Sequence, residues 1–205
     1  MSATPGSGPL AATIDRVAAM TGAETGDVLE AVADYGRFVG MPVRVEFGDD
    51  GRSAHLLEQL SYVAADGREW TAPKGAWLDG ASIPRAFWSV IGGPFEGLYR
   101  EASIIHDHYC VARSEPWQDV HRMFWQAMLC RAVPAFKARI MYYSVYRFGP
   151  RWPDPGGLEA VSTGGLEQPA PLDDTTAASI ERDAQVLAAE DMTAEQIEAL
   201  ADRSR

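Results

Sequence analysis

Two stretches decide how this chain is read: Ser103-Ile104-Ile105-His106-Asp107-His108-Tyr109-Cys110, and Gln118-Asp119-Val120-His121 shortly after it. Between them they hold three of the chain's four histidines and one of its two cysteines. Titratable groups set among Ile, Val and aromatic residues are costly to bury unless they are paired or used. Apolar residues at helical spacing surround both stretches. Ala102, Ile105 and Tyr109 fall on one face of a helix over Tyr99–Ala112. Trp117, Val120, Phe124, Ala127 and Met128 do the same for a helix over Glu115–Arg131, with Ser114 as its cap. Short connections make the neighbouring helices antiparallel.

C-terminal to these, Pro134 opens a further helix through Ile140 and Tyr143 to Phe148, and Gly149-Pro150 ends it. N-terminal to them, Ser82 with Pro84 starts a short helix that Gly92-Gly93-Pro94 closes. Val43, Val45 and Phe47 alternate as in a strand. His55–Ala65 fits either period but is read as a strand, because Asp66-Gly67 then makes a hairpin turn into Arg68–Ala72. Ala76–Leu78 is extended. Helices are also expected over Leu10–Met20 and Asp27–Phe38, the latter stopped by Gly40. The fold class is therefore α+β: a small antiparallel sheet followed by a helical bundle, with helical N- and C-terminal extensions. The divisions are 1–40 (N-terminal helical extension), 41–150 (core), 151–172 (a linker rich in Pro and Gly) and 173–205 (an acidic helical tail). In the tail, Thr193-Ala194-Glu195-Gln196 has the form of a capping box.

The 205 residues suit one core with extensions, and a 46% hydrophobic content with six Trp supplies it. The net charge of −11 is uneven. Residues 1–80 hold six basic and twelve acidic side chains, residues 81–152 nine and five, and residues 153–205 three and twelve. A basic middle between acidic flanks suits either an anionic ligand or flanks that screen it. The overall charge argues against strong nucleic-acid binding. No apolar run approaches the ~20 residues of a membrane span. The first residues lack a secretory pattern, and two cysteines fit a reducing compartment. The expected location is the cytoplasm, or a phage-like particle. The acidic tail is expected to bind an unknown protein partner or to fold back. Aromatic and basic residues over 137–151 leave room for contact with a membrane surface.

The constellation reads as metal-assisted hydrolysis. His106 is the candidate base, and Asp119 on the antiparallel helix is the candidate group orienting its ring. Asp107 and Asp79 are the candidate ligands of a divalent cation, with calcium ahead of zinc. A zinc alternative takes His106 and Cys110, at i and i+4 on one helix face, with His121 from the next helix. A purely structural reading stands beside both. In it His106 is a satisfied core histidine, Asp107 and Asp119 pair with arginines, and Asp79 caps a turn. No Gly-x-Ser-x-Gly elbow, phosphate-binding loop or dinucleotide fingerprint is present.

The residues Asp79-Gly80-Ala81-Ser82-Ile83-Pro84-Arg85, Trp88, Ala102 through His106-Asp107, Asp119 with Phe124, and the Met141–Gly149 helix end resemble one uncharacterised bacterial and phage family. It is catalogued as a domain of unknown function and is frequent in phage and prophage genomes. The resemblance covers about residues 41–150. It implies no activity, but its company suggests a non-enzymatic particle component or assembly protein as the alternative function. The His-Asp helix is also similar to that of phospholipase A2. That resemblance implies His106 as base, Asp107 as calcium ligand, Asp119 as orienter and a phospholipid-like ester as substrate. Cys110 stands where that family has a Tyr, and neither its disulfides nor its glycine-rich calcium loop is present.

Overall fold

The computed structural model describes residues 35–49, 53–78, 97–153 and 174–203. The helices expected at 10–20, over most of 27–38 and from Ser82 lie outside the described residues, as does Asp79. The architecture is α+β. Among the described residues six short strands precede five helices: β1 Arg37–Val39, β2 Val45–Phe47, β3 Ala54–Leu56, β4 Leu60–Val63, β5 Glu69–Ala72 and β6 Trp77–Leu78, then α1 Arg100–Ala112, α2 Trp117–Cys130, α3 Ala135–Phe148, α4 Asp174–Ala189 and α5 Ala194–Arg203.

The strands make two antiparallel sheets rather than one, in the orders β1-β4-β5 and β2-β3-β6. The continuous strand expected over His55–Ala65 is broken. Residues 57–59 carry the chain from the second sheet to the first, between Leu56 and Leu60, which are both buried. The β4–β5 hairpin closes as expected, with Val63 opposite Glu69 and Gly67 at φ 88°. Residues 37–39 form a strand where a helix was expected to end. Glycines at both ends of β1 allow it to lie against β4. Gly36 has φ 97°, and a Cβ there would sit 2.1 Å from the Val63 carbonyl oxygen. Gly40 has φ 94°, and a Cβ would meet the Gln59 carbonyl oxygen at 2.3 Å.

Helix α1 is the centre of the molecule. Ala102, Ile104, Ile105, His106 and Cys110 are all fully buried, because α1 packs on both sheets and on α2. A helix apolar around most of its circumference is expected in such a position. Thr71 N donates to Tyr109 Oη at 3.1 Å, and Trp70 meets the Tyr109 ring edge-on, tying β5 to α1. Buried Glu101 receives Arg131 Nε at 3.2 Å from the end of α2. Helices α2 and α3 begin directly after Pro116 and Pro134, where the absent N–H is not missed.

The acidic tail folds back on the core through its apolar face. Leu187, Ile197 and Ala201 are fully buried, with α4 and α5 packed on α3. Arg139 reaches the Leu187 carbonyl at 2.8 Å and Asp191 at 2.9 Å. Arg122 bridges Glu195 at 3.2 Å and Glu198 at 2.6 Å. Tyr143 and Arg147 meet Asp183. The positive middle of the sequence is thus matched to its own negative end. The capping box forms as expected, with Thr193 N donating to Gln196 Oε1 at 2.8 Å and Gln196 N to Thr193 Oγ1 at 3.4 Å.

Candidate metal centre

Helices α1 and α2 lie side by side and bring His106, Cys110 and His121 together. The first two lie one turn apart on α1, so their side chains share a face. His121 projects from the facing side of α2, one turn after Trp117. All three are 0% exposed. One donor atom from each lies within 4.8 Å of the others. His106 Nε2 is 2.8 Å from His121 Nδ1. Cys110 Sγ is 3.7 Å from His106 Nε2 and 3.8 Å from its Nδ1. Neither cysteine is in a disulfide.

A backbone group sets the protons. His121 Nε2 is 3.2 Å from the Pro150 carbonyl oxygen. A carbonyl only accepts, so His121 Nε2 carries hydrogen and, in the neutral ring, Nδ1 is bare. His106 Nε2–H therefore donates to His121 Nδ1. That leaves His106 Nδ1 without hydrogen, with the Cys110 sulfur almost equidistant from the two nitrogens of the ring. Burial holds both rings neutral. Desolvation, and secondarily the neighbouring His121, push His106 well below the ordinary histidine value. Desolvation pushes His121 down to about 3, against a smaller opposing effect of the Pro150 carbonyl.

The surroundings are aromatic. Phe124 lies over His106 with ring centroids 4.6 Å apart, and Trp117 and Trp152 flank His121 at 5.5 and 6.3 Å. Trp152 is fixed by its Nε1–H donating to the Glu115 carbonyl at 2.8 Å. One turn before His106, Ser103 Oγ is buried with no hydrogen-bond partner among the described residues.

The residues named from the sequence are distributed differently. His106 is at the centre. Asp107 is buried, 3% exposed, and not without interactions. Asp119 is not the partner of His106. Its carboxylate receives Arg68 Nη1 at 2.8 Å, with the Asp119 side chain 45% exposed, and Arg68 also holds Glu115 at 2.6 Å. Helical geometry explains this, since residues two apart on α2 point roughly 200° apart. With His121 facing α1, Asp119 faces outward. The partner of His106 is His121, which the zinc alternative set beside it and the leading hydrolase reading left out. The Pro150 carbonyl had no signal, because a backbone oxygen leaves no mark in the residue pattern.

Comparison with known proteins adds a family match to this geometry. Residues 54–145 match the model of a family described as a protein of unknown function, DUF1353. The matched span holds β3 to β6, α1, α2 and most of α3, and so all three residues of the cluster. The chain is 41% identical over 124 residues to the uncharacterized protein y4jT of Sinorhizobium fredii (strain NBRC 101917 / NGR234), covering 60% of this chain and 37% of that one. It is 36% identical over 119 residues to the uncharacterized protein y4iH of the same organism, covering 58% of this chain and 50% of the relative. The chain thus spans half or less of the length of these relatives. No solved structure matches. Among the described residues no helix is long and apolar enough to cross a membrane.

Proposed function

We propose that the domain is a metal-assisted hydrolase whose reaction centre is the buried polar face of α1, acting on an ester. One observation carries this reading: two neutral imidazoles and a thiol converge in a buried, aromatic-lined site, within 4.8 Å of one another. Aliphatic side chains would fill the same space without the desolvation cost. Neutral rings keep lone pairs that a cation can use at neutral pH. The resemblance of the His-Asp helix to phospholipase A2 supplies a phospholipid-like ester as the substrate class. The pairing of Asp119 with Arg68 removes one element of that resemblance. The donor set of two nitrogens and a sulfur suits a softer ion than calcium.

The test is hydrolysis of a panel of carboxylic esters and phospholipids by protein stripped of metal and by protein reloaded with it. Activity that needs the metal, and that His106→Ala abolishes in a folded protein, is the expected result. Full activity in a folded His106→Ala protein contradicts the reading.

A specific observation favours a second reading. His106 is wholly enclosed and hydrogen-bonded within the core, as it would be in a non-enzymatic protein. Such a protein would be a phage or prophage particle component or assembly protein, found in the cytoplasm or in the particle and meeting its partner through another surface. It is distinguished by an unreactive, metal-indifferent protein that co-purifies with particles.

A further inference from the structure

We infer that His106, Cys110 and His121 form a zinc site with one thiolate and two imidazole ligands. This deepens the reading above by naming the ion and its ligands, and the hydrolase reading is what gives the site a use. Bond lengths of about 2.3 Å to sulfur and 2.0–2.1 Å to nitrogen place tetrahedral ligands about 3.6 Å (S to N) and 3.4 Å (N to N) apart. Cys110 Sγ already lies 3.7 Å from His106 Nε2. The two ring nitrogens, 2.8 Å apart in their hydrogen bond, need to open by about 0.6 Å, and Cys110 Sγ and the His121 nitrogen, within 4.8 Å of each other, need to settle at about 3.6 Å.

The second observation is independent of these distances. His121 donates Nε2–H to the Pro150 carbonyl and so presents Nδ1 inward with its lone pair free of hydrogen. A backbone carbonyl on the far nitrogen is the usual support of a metal-bound histidine. In the chemistry of binding, the ion takes the place of the His106–His121 hydrogen bond. His106 moves its proton from Nε2 to Nδ1, His121 keeps its own, and the Cys110 thiol releases one proton to solvent. Each zinc bound therefore releases one proton. Three protein donors leave a fourth coordination position, which in this enclosed site a small ligand such as water would take.

The experiment is titration of metal-stripped full-length protein with cobalt(II) as a spectroscopic substitute, followed by displacement with zinc. One equivalent of cobalt should bring up a thiolate-to-cobalt charge-transfer band, and zinc should remove it. Cys110→Ser should abolish the band and weaken zinc by more than about tenfold, since even supporting residues outside the ligand set cost that much. The chain has only two cysteines, so Cys130→Ser leaves Cys110 as the sole thiol and must keep the band, whether or not Cys110→Ser folds. A folded wild type without the band overturns the site, as does a band lost with Cys130 instead of Cys110. Zinc bound through Cys110 without ester hydrolysis leaves the site standing and removes the hydrolase reading. Hydrolysis by folded protein that shows no thiolate band does the reverse.

Discussion

His106 and His121, fifteen residues apart, meet nitrogen to nitrogen at 2.8 Å across the α1–α2 interface. Because His121 is anchored on a carbonyl, this contact has a direction: His106 donates and His121 accepts. Replacing His121 by Ala orphans the buried His106 N–H and leaves a cavity beside Trp117 and Trp152. Each is a large effect, and together they should cost about 2–5 kcal/mol of stability. Urea denaturation measures it. A loss below about 1 kcal/mol would mean that the contact is dispensable.

The same pair sets a pH dependence in metal-stripped protein. Both histidines have folded values below the ordinary histidine value of 6.5. The unfolded chain therefore takes up protons first as pH falls. Stability is unaffected above about pH 6.5 and declines below it, by up to about 1.4 kcal/mol per pH unit for each ring. The His121 contribution levels off near its folded value of about 3. Urea midpoints between pH 7.5 and 4.5 test this against His121→Gln, which should flatten the slope. An equal slope in both proteins would contradict it.

Asp119 should matter little to the centre. Its bridge to Arg68 at 2.8 Å joins the β4–β5 turn to α2 with both side chains more than a third exposed. Exposed pairs contribute about 0–1 kcal/mol. Asp119→Asn is expected to shift stability by no more than that and to leave cobalt and zinc affinity unchanged. A tenfold loss of metal affinity would restore Asp119 to the site.

The difference between Asp119 and His121 shows where the sequence was legible and where it was not. Helix existence followed from apolar periodicity, and all three central helices begin or end within a few residues of the expected positions. The hairpin at Asp66-Gly67 and the capping box at Thr193 were readable because their chemistry is local. The identity of His106 as the central polar residue was also readable. Its partner depended on the rotation of α2 about its own axis, which amphipathicity fixes only coarsely and which moves Asp119 from the interface to the surface. The division into two sheets depended on a break at residues 57–59, inside a stretch that satisfies both periods. The docking of the tail depended on long-range pairing of Arg122, Arg139 and Arg147, which charge totals suggest but do not locate.

That docking is testable in the full chain. Ile197 on α5 is fully buried, and Ile197→Asp places a charge in apolar surroundings. Limited proteolysis should then cut within 174–203 at least about tenfold faster, the factor that about 1.4 kcal/mol of easier opening allows. Unchanged cleavage would show that α4 and α5 are held by other contacts.

Gly36 should tolerate no side chain. Its φ of 97° and the 2.1 Å approach of a Cβ to the Val63 carbonyl oxygen act together. Gly36→Ala is expected to cost at least about 1–3 kcal/mol, read as a lowered thermal midpoint. An unchanged midpoint would show that β1 can shift away from β4 at no cost.

The most direct measurement is zinc K-edge X-ray absorption on the full-length protein loaded with one equivalent of zinc. The expected result is a first shell with one sulfur at about 2.3 Å and nitrogen or oxygen neighbours at about 2.0–2.1 Å, with imidazole outer-shell scattering. A shell of light atoms alone, without sulfur, would contradict the assignment of Cys110, and with it the claim that the His106–Cys110–His121 cluster is the metal centre.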